Sequence, residues 1–511
     1  MAKPEKQRFV LNLKLITEQW QDDILNTRFE IGRLLYNAIL SKSLKRYNEM
    51  IKTKRWRDNQ SKLSELYKLY KNDKNFKSIC KPYYKIKEDL LKEFRLNEYA
   101  FHDDITPMYK HYKKNIDSFT AQKIASRVWT SLNDNLFGKG EDVHFKKRSI
   151  GLNSLEGKSN KQGIVYKIEN NILVWNGLEI PVQLDINNDY EINALRNKIC
   201  YCRIKRKFVR GKYKYILQLL LDGIPPIKIN KETGEIKNDI GQGKVGIDIG
   251  TQTISYVSNY DVKLLELAPR VKNIENQKRK LLRYMDRSKR ATNPNNFNNN
   301  GTIKKGIKLE WSYSKKYIKA KNKLKDLYRK QADIREQDHN ILTNEILKNG
   351  NIIYVEEMNF KALQSRSKKT EKNDKGKFKK KKRFGKSLAN KSPSKFLTIL
   401  QNKLKAKGGL YFEINTREVK ASQYNHLNRQ YNKKKLSQRW NYFKYNNQDI
   451  KVQRDIYSAY LIKNVNEDLK SINQEQCEID FNNFLELHDK EINRLEENDS
   501  NISSMGIKKA I

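Results

Sequence analysis

The sequence predicts a multidomain α+β chain, with helices and antiparallel strands in its first half and an α/β sheet with large insertions in its second. Three observations predict it. Apolar residues recur at helical spacing from about residue 17 to 136, they alternate from about 163 to 221, and from Lys244 short apolar runs are separated by long helical stretches. With 511 residues and 37% hydrophobic content, the chain can bury several cores.

The elements follow in order. Phe9 to Leu15 alternates as a strand and leads into a helical pattern through Trp20, Ile24, Leu34, Leu35, Ala38 and Ile39. Tyr- and Lys-rich helical sequence continues to about Leu136, as in a small bundle with a solvated basic face. Ile164–Ile168, Ile172–Trp175 and Ile180–Leu184, joined through Asn-Asn and Asn-Gly, read as antiparallel strands. Cys200–Ile204 and Tyr213–Leu217 form a further hairpin, and with the first strand a small barrel is expected. Residues 225–243, holding Pro225, Pro226 and several Gly and Asn, read as a linker.

Beyond it, Lys244–Ile249, Thr253–Val257 and Val262–Leu267 are three consecutive strands with Asp248 near the end of the first, the opening of an RNase H-like sheet. A helical hairpin broken by the Asn-rich turn 293–301 follows. Then come a strand at Asn351–Glu357, a helix from about Ser394 to Lys405, a strand at Gly409–Ile414 and a last helix from about Val452. The acidic stretch 481–511 reads as a frayed tail.

Lys and Arg total 105 against 59 Asp and Glu, a formal charge of +46 spread through the chain, which calls for a polyanionic partner. Charge alone leaves a nucleic-acid enzyme and a general RNA binder both open. Cys80, Cys200, Cys202 and Cys477 form no CxxC pair, and no apolar run is long enough to span a bilayer. With no secretory h-region near Met1, a cytoplasmic protein without a membrane partner is expected.

Three carboxylates adjoin apolar runs: Asp248 in Val-Gly-Ile-Asp-Ile-Gly, Glu356 in Ile-Ile-Tyr-Val-Glu-Glu-Met and Asp455 in Val-Gln-Arg-Asp-Ile-Tyr-Ser-Ala-Tyr. Converging acids repel unless divalent cations lie among them. Two Mg²⁺ ions could activate a water and stabilise a leaving 3′ oxygen without a His or Ser nucleophile. Taken alone, each acid is more often a turn or capping residue; their order and context favour chemistry.

These three motifs, in this order, resemble the split RuvC motifs of the TnpB family, transposon-encoded RNA-guided nucleases close to compact type V CRISPR effectors. Arg33–Leu40 resembles that family's first recognition helix, and Lys420–Asn425 the stretch before its zinc ribbon. The resemblance spans most of the chain. It implies a RuvC-like nuclease domain over 244–480, a wedge-like β-barrel from 1–16 and 140–224, and an inserted helical recognition domain over 17–139. It implies an RNA-guided DNA endonuclease with Asp248, Glu356 and Asp455 as catalytic Mg²⁺ ligands and Arg454 beside the scissile strand. The partners implied are a guide RNA and double- and single-stranded DNA, with one protein per RNA in a prokaryotic, nucleoid-associated setting. The zinc-ribbon equivalent, 416–450, holds no cysteine, so no zinc is expected.

The run Arg366–Lys386 holds 12 Lys or Arg and two acids in 21 residues, either a solvated loop or a strand-guiding arm. Within it Lys379, Lys380, Lys381, Lys382 and Arg383 are candidate nucleic-acid contacts. Two rivals stand beside the guided nuclease. One is an ATPase using Asp248-Ile-Gly-Thr251 as a phosphate loop, which lacks a second Gly-rich loop and leaves the charge unexplained. The other is an RNA-guided DNA binder that does not cut, or an unguided binder or nuclease.

Overall fold

The computed structural model describes residues 7–511 except 71, 72, 74, 138, 139, 141, 374, 375, 379, 380, 382, 383, 436, 498–504 and 508–511. The chain divides into two compact units, Met1–Pro226 and Ile227–Ile511, meeting within the expected linker.

The first unit opens with β1 (Arg8–Leu15), whose inward residues Phe9, Leu11, Leu13 and Leu15 alternate with exposed ones. Five helices follow: α1 (Gln19–Lys52), α2 (Lys54–Tyr70), α3 (Phe76–Glu93), α4 (Glu98–Lys110) and α5 (Ser118–Leu136). Next come β2 (Ser154–Glu156), β3 (Ile164–Lys167), β4 (Ile172–Trp175), β5 (Leu178–Gln183), the short helix α6 (Asp189–Leu195), β6 (Ile199–Val209) and β7 (Lys212–Asp222). Asn176 and Gly177, both at positive φ, form the tight β4–β5 turn that their sequence favours. The strands make one sheet in the order β2-β6-β7-β1-β5-β4-β3. Among the described residues its end strands β2 and β3 do not pair, so the sheet curls without the hydrogen-bonded closure of the expected barrel. One continuous core joins strand residues such as Leu13 and Leu217 to Phe29 and Ile39 of α1. Cys202 is buried there, its thiol donating to Asn160 at 3.0 Å.

The second unit is a three-layer α/β/α body. Its sheet has the order β10-β9-β8-β11-β12, from β8 (Lys244–Ile249), β9 (Thr253–Val257), β10 (Val262–Glu266), β11 (Ile352–Glu356) and β12 (Leu410–Ile414). β8, β9 and β10 form an antiparallel meander, whereas β11 lies parallel to both β8 and β12. Between them run α7 (Glu275–Thr292), α8 (Lys315–Lys348), α9 (Phe360–Gln364), α10 (Gly385–Lys391) and α11 (Pro393–Ala406). After β12 come α12 (Thr416–Val419), the hairpins β13 (Tyr424–Asn425)–β14 (Gln430–Tyr431) and β15 (Trp440–Tyr445)–β16 (Gln448–Gln453), then α13 (Arg454–Lys463) and α14 (Gln474–Glu497).

Strand alternation assigns the two faces. Val245, Ile247, Ile353 and Val355 pack under α8 and α11, against Leu342, Ile346, Phe396 and Leu400. Tyr354 and Ile414 belong to the core on the opposite face, built with Ile456, Tyr457 and Tyr460 of α13 and Phe481 and Phe484 of α14. Gly246 lets α13 approach: a Cβ there would meet the backbone of Ala459 and Lys463.

Two expectations are corrected. The last helix of the sheet core begins at Arg454, because Gln448–Gln453 is a strand and Val452 is buried within it. In the region 481–511, expected as a frayed tail, the described residues 481–497 and 505–507 are ordered into the core. Cys477, Phe481, Phe484, His488, Ile492 and Leu495 recur every three or four residues and form the buried stripe of α14, and Met505 and Ile507 join the same core. The abundant acids lie mainly on the solvent side of an amphipathic helix.

Candidate active site

Asp248 and Glu356 stand at the carboxyl ends of adjacent parallel strands. The register pairs Ile353, Tyr354 and Val355 with Val245, Gly246 and Ile247, so the next pair along is Glu356 beside Asp248. Both share a strand face with Gly246 and Tyr354, the face that α13 covers. Asp455 occupies the first turn of α13, where the helix dipole favours a carboxylate.

The position of Asp455 is over-determined. Gln453, fully buried, caps α13 by accepting from the backbone N–H of Asp455 at 2.7 Å and of Ile456 at 2.9 Å. Gln453 is itself fixed: its N–H donates to Nε2 of buried His488 at 3.0 Å, and its side-chain amide donates to the Met505 carbonyl at 3.3 Å. On the sheet side, Ser255, paired with Asp248 in the β8–β9 register, donates its hydroxyl to the Asp455 carbonyl at 2.6 Å. Nothing local announces Ser255, Gln453 or His488 in these roles.

The electrostatics report the convergence. Burial holds the Asp248 carboxyl well above the usual carboxylate range, and the charges of Asp455 and Glu356 raise it further. Burial pushes Glu356 up to about 6. Opposing this, the buried Ser458 hydroxyl, one helical turn beyond Asp455, lies against Asp248 and lowers its proton affinity; it has no other partner among the described residues. Arg454, the expected strand-side residue, directs Nε and Nη2 at Asp455 Oδ1 at 3.1 and 3.0 Å, and Nη1 at the Gln438 carbonyl at 3.1 Å. Arg439 lies 4.0 Å from the other oxygen of Asp455.

The donor chemistry suits a hard divalent cation: three carboxylates, mutually repelling, beside a hydroxyl with a free lone pair. They do not form a ready-made cage. Among the described residues no three His, Cys, Asp or Glu side chains close on a single metal position, and the Asp455 carboxylate is paired with Arg454 at 3.0 Å.

Where the sequence placed a ribbon equivalent, 416–450, the hairpins are held by an aromatic core. His426, fully buried, contacts Tyr457, Tyr460 and Phe481, the last at 4.4 Å between ring centres. The Tyr457 hydroxyl accepts the His426 backbone N–H at 3.1 Å and is hydrogen-bonded to its Nδ1 at 2.6 Å. Burial depresses the imidazole pKa to about 4.

Of the basic-run candidates, Lys381 is exposed and its carbonyl accepts from Ser367 at 2.9 Å. Lys379, Lys380, Lys382 and Arg383 lie outside the described residues. No helix among the described residues is long and apolar enough to cross a membrane.

No protein-family model matches the chain, and no curated protein does. Among solved structures it is similar to a Cas12f1–sgRNA–target DNA complex at 12% identity and a TM-score of 0.38, over 90% of this chain and 99% of that one. It is also similar to a CRISPR-Cas12f ternary complex at 13% identity and a TM-score of 0.22, over 85% of this chain and 82% of that one. At these scores neither likeness decides the fold or the activity.

Proposed function

We propose that the second unit is a divalent-metal-dependent phosphodiesterase of RuvC-like, RNase H-like type, acting on DNA as an RNA-guided endonuclease. The observation that carries this is the meeting of Asp248, Glu356 and Asp455 from β8, β11 and α13 on one sheet face, close enough for the last two to raise the proton affinity of the first. Guidance by RNA rests on the order of the three motifs, on the recognition-helix-like Arg33–Leu40 and on the +46 charge.

In this reading Asp248, Glu356 and Asp455 hold two Mg²⁺ ions. Bound there, the ions would supply charge neutralisation and an activated water for in-line hydrolysis, leaving 5′-phosphate and 3′-hydroxyl ends. The chain's own groups orient the acids: Ser255 and Gln453 fix Asp455, and the β8–β11 register fixes Glu356 against Asp248. Arg454 and Arg439 place positive charge at the edge of the site, suited to a phosphodiester once released from Asp455.

The arginine pairing of Asp455 also favours a second reading, an RNA-guided DNA binder that does not cut. The experiment is cleavage of target DNA by protein copurified with its RNA, in Mg²⁺ and in EDTA, with Asp248→Ala as control. Mg²⁺-dependent cleavage lost in the variant supports the nuclease; undiminished binding with no cleavage by the unmutated protein supports the binder. Sequencing the copurified RNA tests guidance: one dominant structured species is expected, and bulk cellular RNA would remove the guide from the reading.

A further inference from the structure

Helix α7 has no buried residue over its 18 positions. It lies on α8, and the two are tied at the far end by a built tip. There Ser288 and Ser314 hydroxyls meet at 2.9 Å, Asn293 donates to the Ser312 carbonyl at 2.8 Å, and Lys289 sits 3.7 Å above the Trp311 ring. The segment 275–330 carries 18 Lys or Arg and four acids. A helix pair this short of core and this charged is stable alone only marginally, yet its ends are fixed by specific contacts.

The direction of this arm follows from the sheet. β10 runs parallel to β8 after two antiparallel turns, so the residues just after it lie at the carboxyl edge, with Asp248 and Glu356. α8 is bonded to that edge: Asp338 accepts from the Arg270 backbone N–H at 3.1 Å, and Gln331 donates to the Lys272 carbonyl at 3.3 Å. Its other end is at the start of the sheet, where the Leu347 carbonyl accepts from Gly241 at 2.8 Å. Everything in α8 before Gln331, with α7 beside it, therefore projects beyond the edge that bears the acids.

On α7, Leu281, Met285 and Ser288 are the half-buried side, while Arg279, Lys280, Arg283 and Arg287 are exposed. At 3.6 residues per turn these four fall within about 100° of arc. None of the four has an ion pair or side-chain hydrogen bond among the described residues, whereas neighbouring Arg290 is spent on Asp286 at 2.8 Å. From Arg279 to Arg287 the helix rises about 12 Å. One strand of a duplex places roughly three to four phosphates in that length, at about 3.4 Å per step.

We propose that this face of α7 is a docking rail for the backbone of a double-stranded nucleic acid, leading it to the acids at the sheet edge. The inference deepens the nuclease reading and rests on it for the choice of ligand. Cations anchored at the regular spacing of a helix suit a duplex of fixed phosphate spacing better than a flexible single strand, which gains little from their register.

The test is the salt dependence of binding, measured by fluorescence anisotropy in EDTA with the full chain. The probes are a duplex DNA of about 25 base pairs, the matching RNA–DNA hybrid and the single strand. The quadruple variant R279Q/K280Q/R283Q/R287Q, in which Gln preserves helix propensity, is compared with R279K/R283K/R287K. Each lost phosphate contact lowers the slope of log K against log salt by about 0.9, so the quadruple variant should lose about 3 to 4 and the lysine variant almost none. The duplex showing the larger loss names the ligand. An unchanged slope with circular dichroism unaltered, or a loss confined to the single strand, overturns the rail. If the slope falls but the unmutated protein never cleaves, the rail stands and the nuclease reading fails. Mg²⁺-dependent cleavage with an unchanged slope gives the reverse.

Discussion

Replacing Glu356 by Gln should stabilise the metal-free protein at neutral pH while abolishing cleavage. The folded state holds the Glu356 carboxyl at about 6 through burial, against an ordinary value of 4.5. The native chain therefore binds a proton more readily than the unfolded one. The wild type is penalised progressively as pH rises from about 4.5 to 6, and the full penalty persists above that. A shift of about 1.5 pH units corresponds to roughly 2 kcal/mol. Gln keeps the shape without the charge, so the variant should gain about 2 kcal/mol over wild type at pH 7.5, and nothing below pH 4.5. In thermal unfolding that is about 4 °C for a body of this size. The assay is urea or thermal denaturation of both proteins from pH 4.5 to 8 in EDTA, repeated with Mg²⁺. Groups shared by the two proteins cancel in the difference. Added Mg²⁺ should raise the wild type and leave the variant nearly unmoved. A difference independent of pH, or a variant less stable throughout, would refute the claim that burial of the Glu356 carboxylate is a cost stored at this site.

Gly246→Ala should cost about 3 kcal/mol in urea unfolding and reduce cleavage, because its Cβ meets the backbone of Ala459 and Lys463, neither of which can rotate away. His426 and His339 are both depressed to about 4 by burial, so each contributes stability that is whole above pH 6.5 and declines by about 1.4 kcal/mol per pH unit down to pH 4. Denaturation midpoints at pH 7.5 and 4.5 should show it, and His426→Phe should halve the decline. Gln453→Ala removes the cap of α13 and should lower stability by about 1 to 2 kcal/mol with a larger loss of cleavage than of duplex binding; equal losses would make the cap merely structural. Shortening the run 366–386 should weaken cleavage more than RNA binding, and equal loss of both would dismiss it as a strand-guiding arm.

The elements that sequence made legible are those governed by local period. The alternation of Phe9 to Leu15 gave β1, the apolar runs ending in Asp248 and Glu356 gave β8 and β11, and Asn176-Gly177 gave a turn. The acids could be singled out because a charge at the end of a buried strand is anomalous. Long-range pairings could not be read. His488 reaches Gln453 across 35 positions and Ser255 reaches Asp455 across 200, and neither contact leaves a local pattern. Composition misdirected the reading of 481–511, because net acidity was weighed and the three-to-four spacing of Phe481, Phe484 and His488 was not. The segment 416–450 was legible through the resemblance of Lys420–Asn425 and the lack of cysteine; that an imidazole among aromatic rings organises it depends on α13 and α14, which arrive later in the chain.

That lateness has a consequence for how the protein is made. The cap that orients the third acid depends on a carbonyl 52 positions further along, at Met505. A ribosome that has delivered Asp248, Glu356 and Asp455 has still not delivered the parts that hold the last of them in place, so during translation all three acids exist before the geometry does. An interrupted or clipped product lacking Met505 would carry all three acids yet lack the carbonyl that holds the cap of the last one.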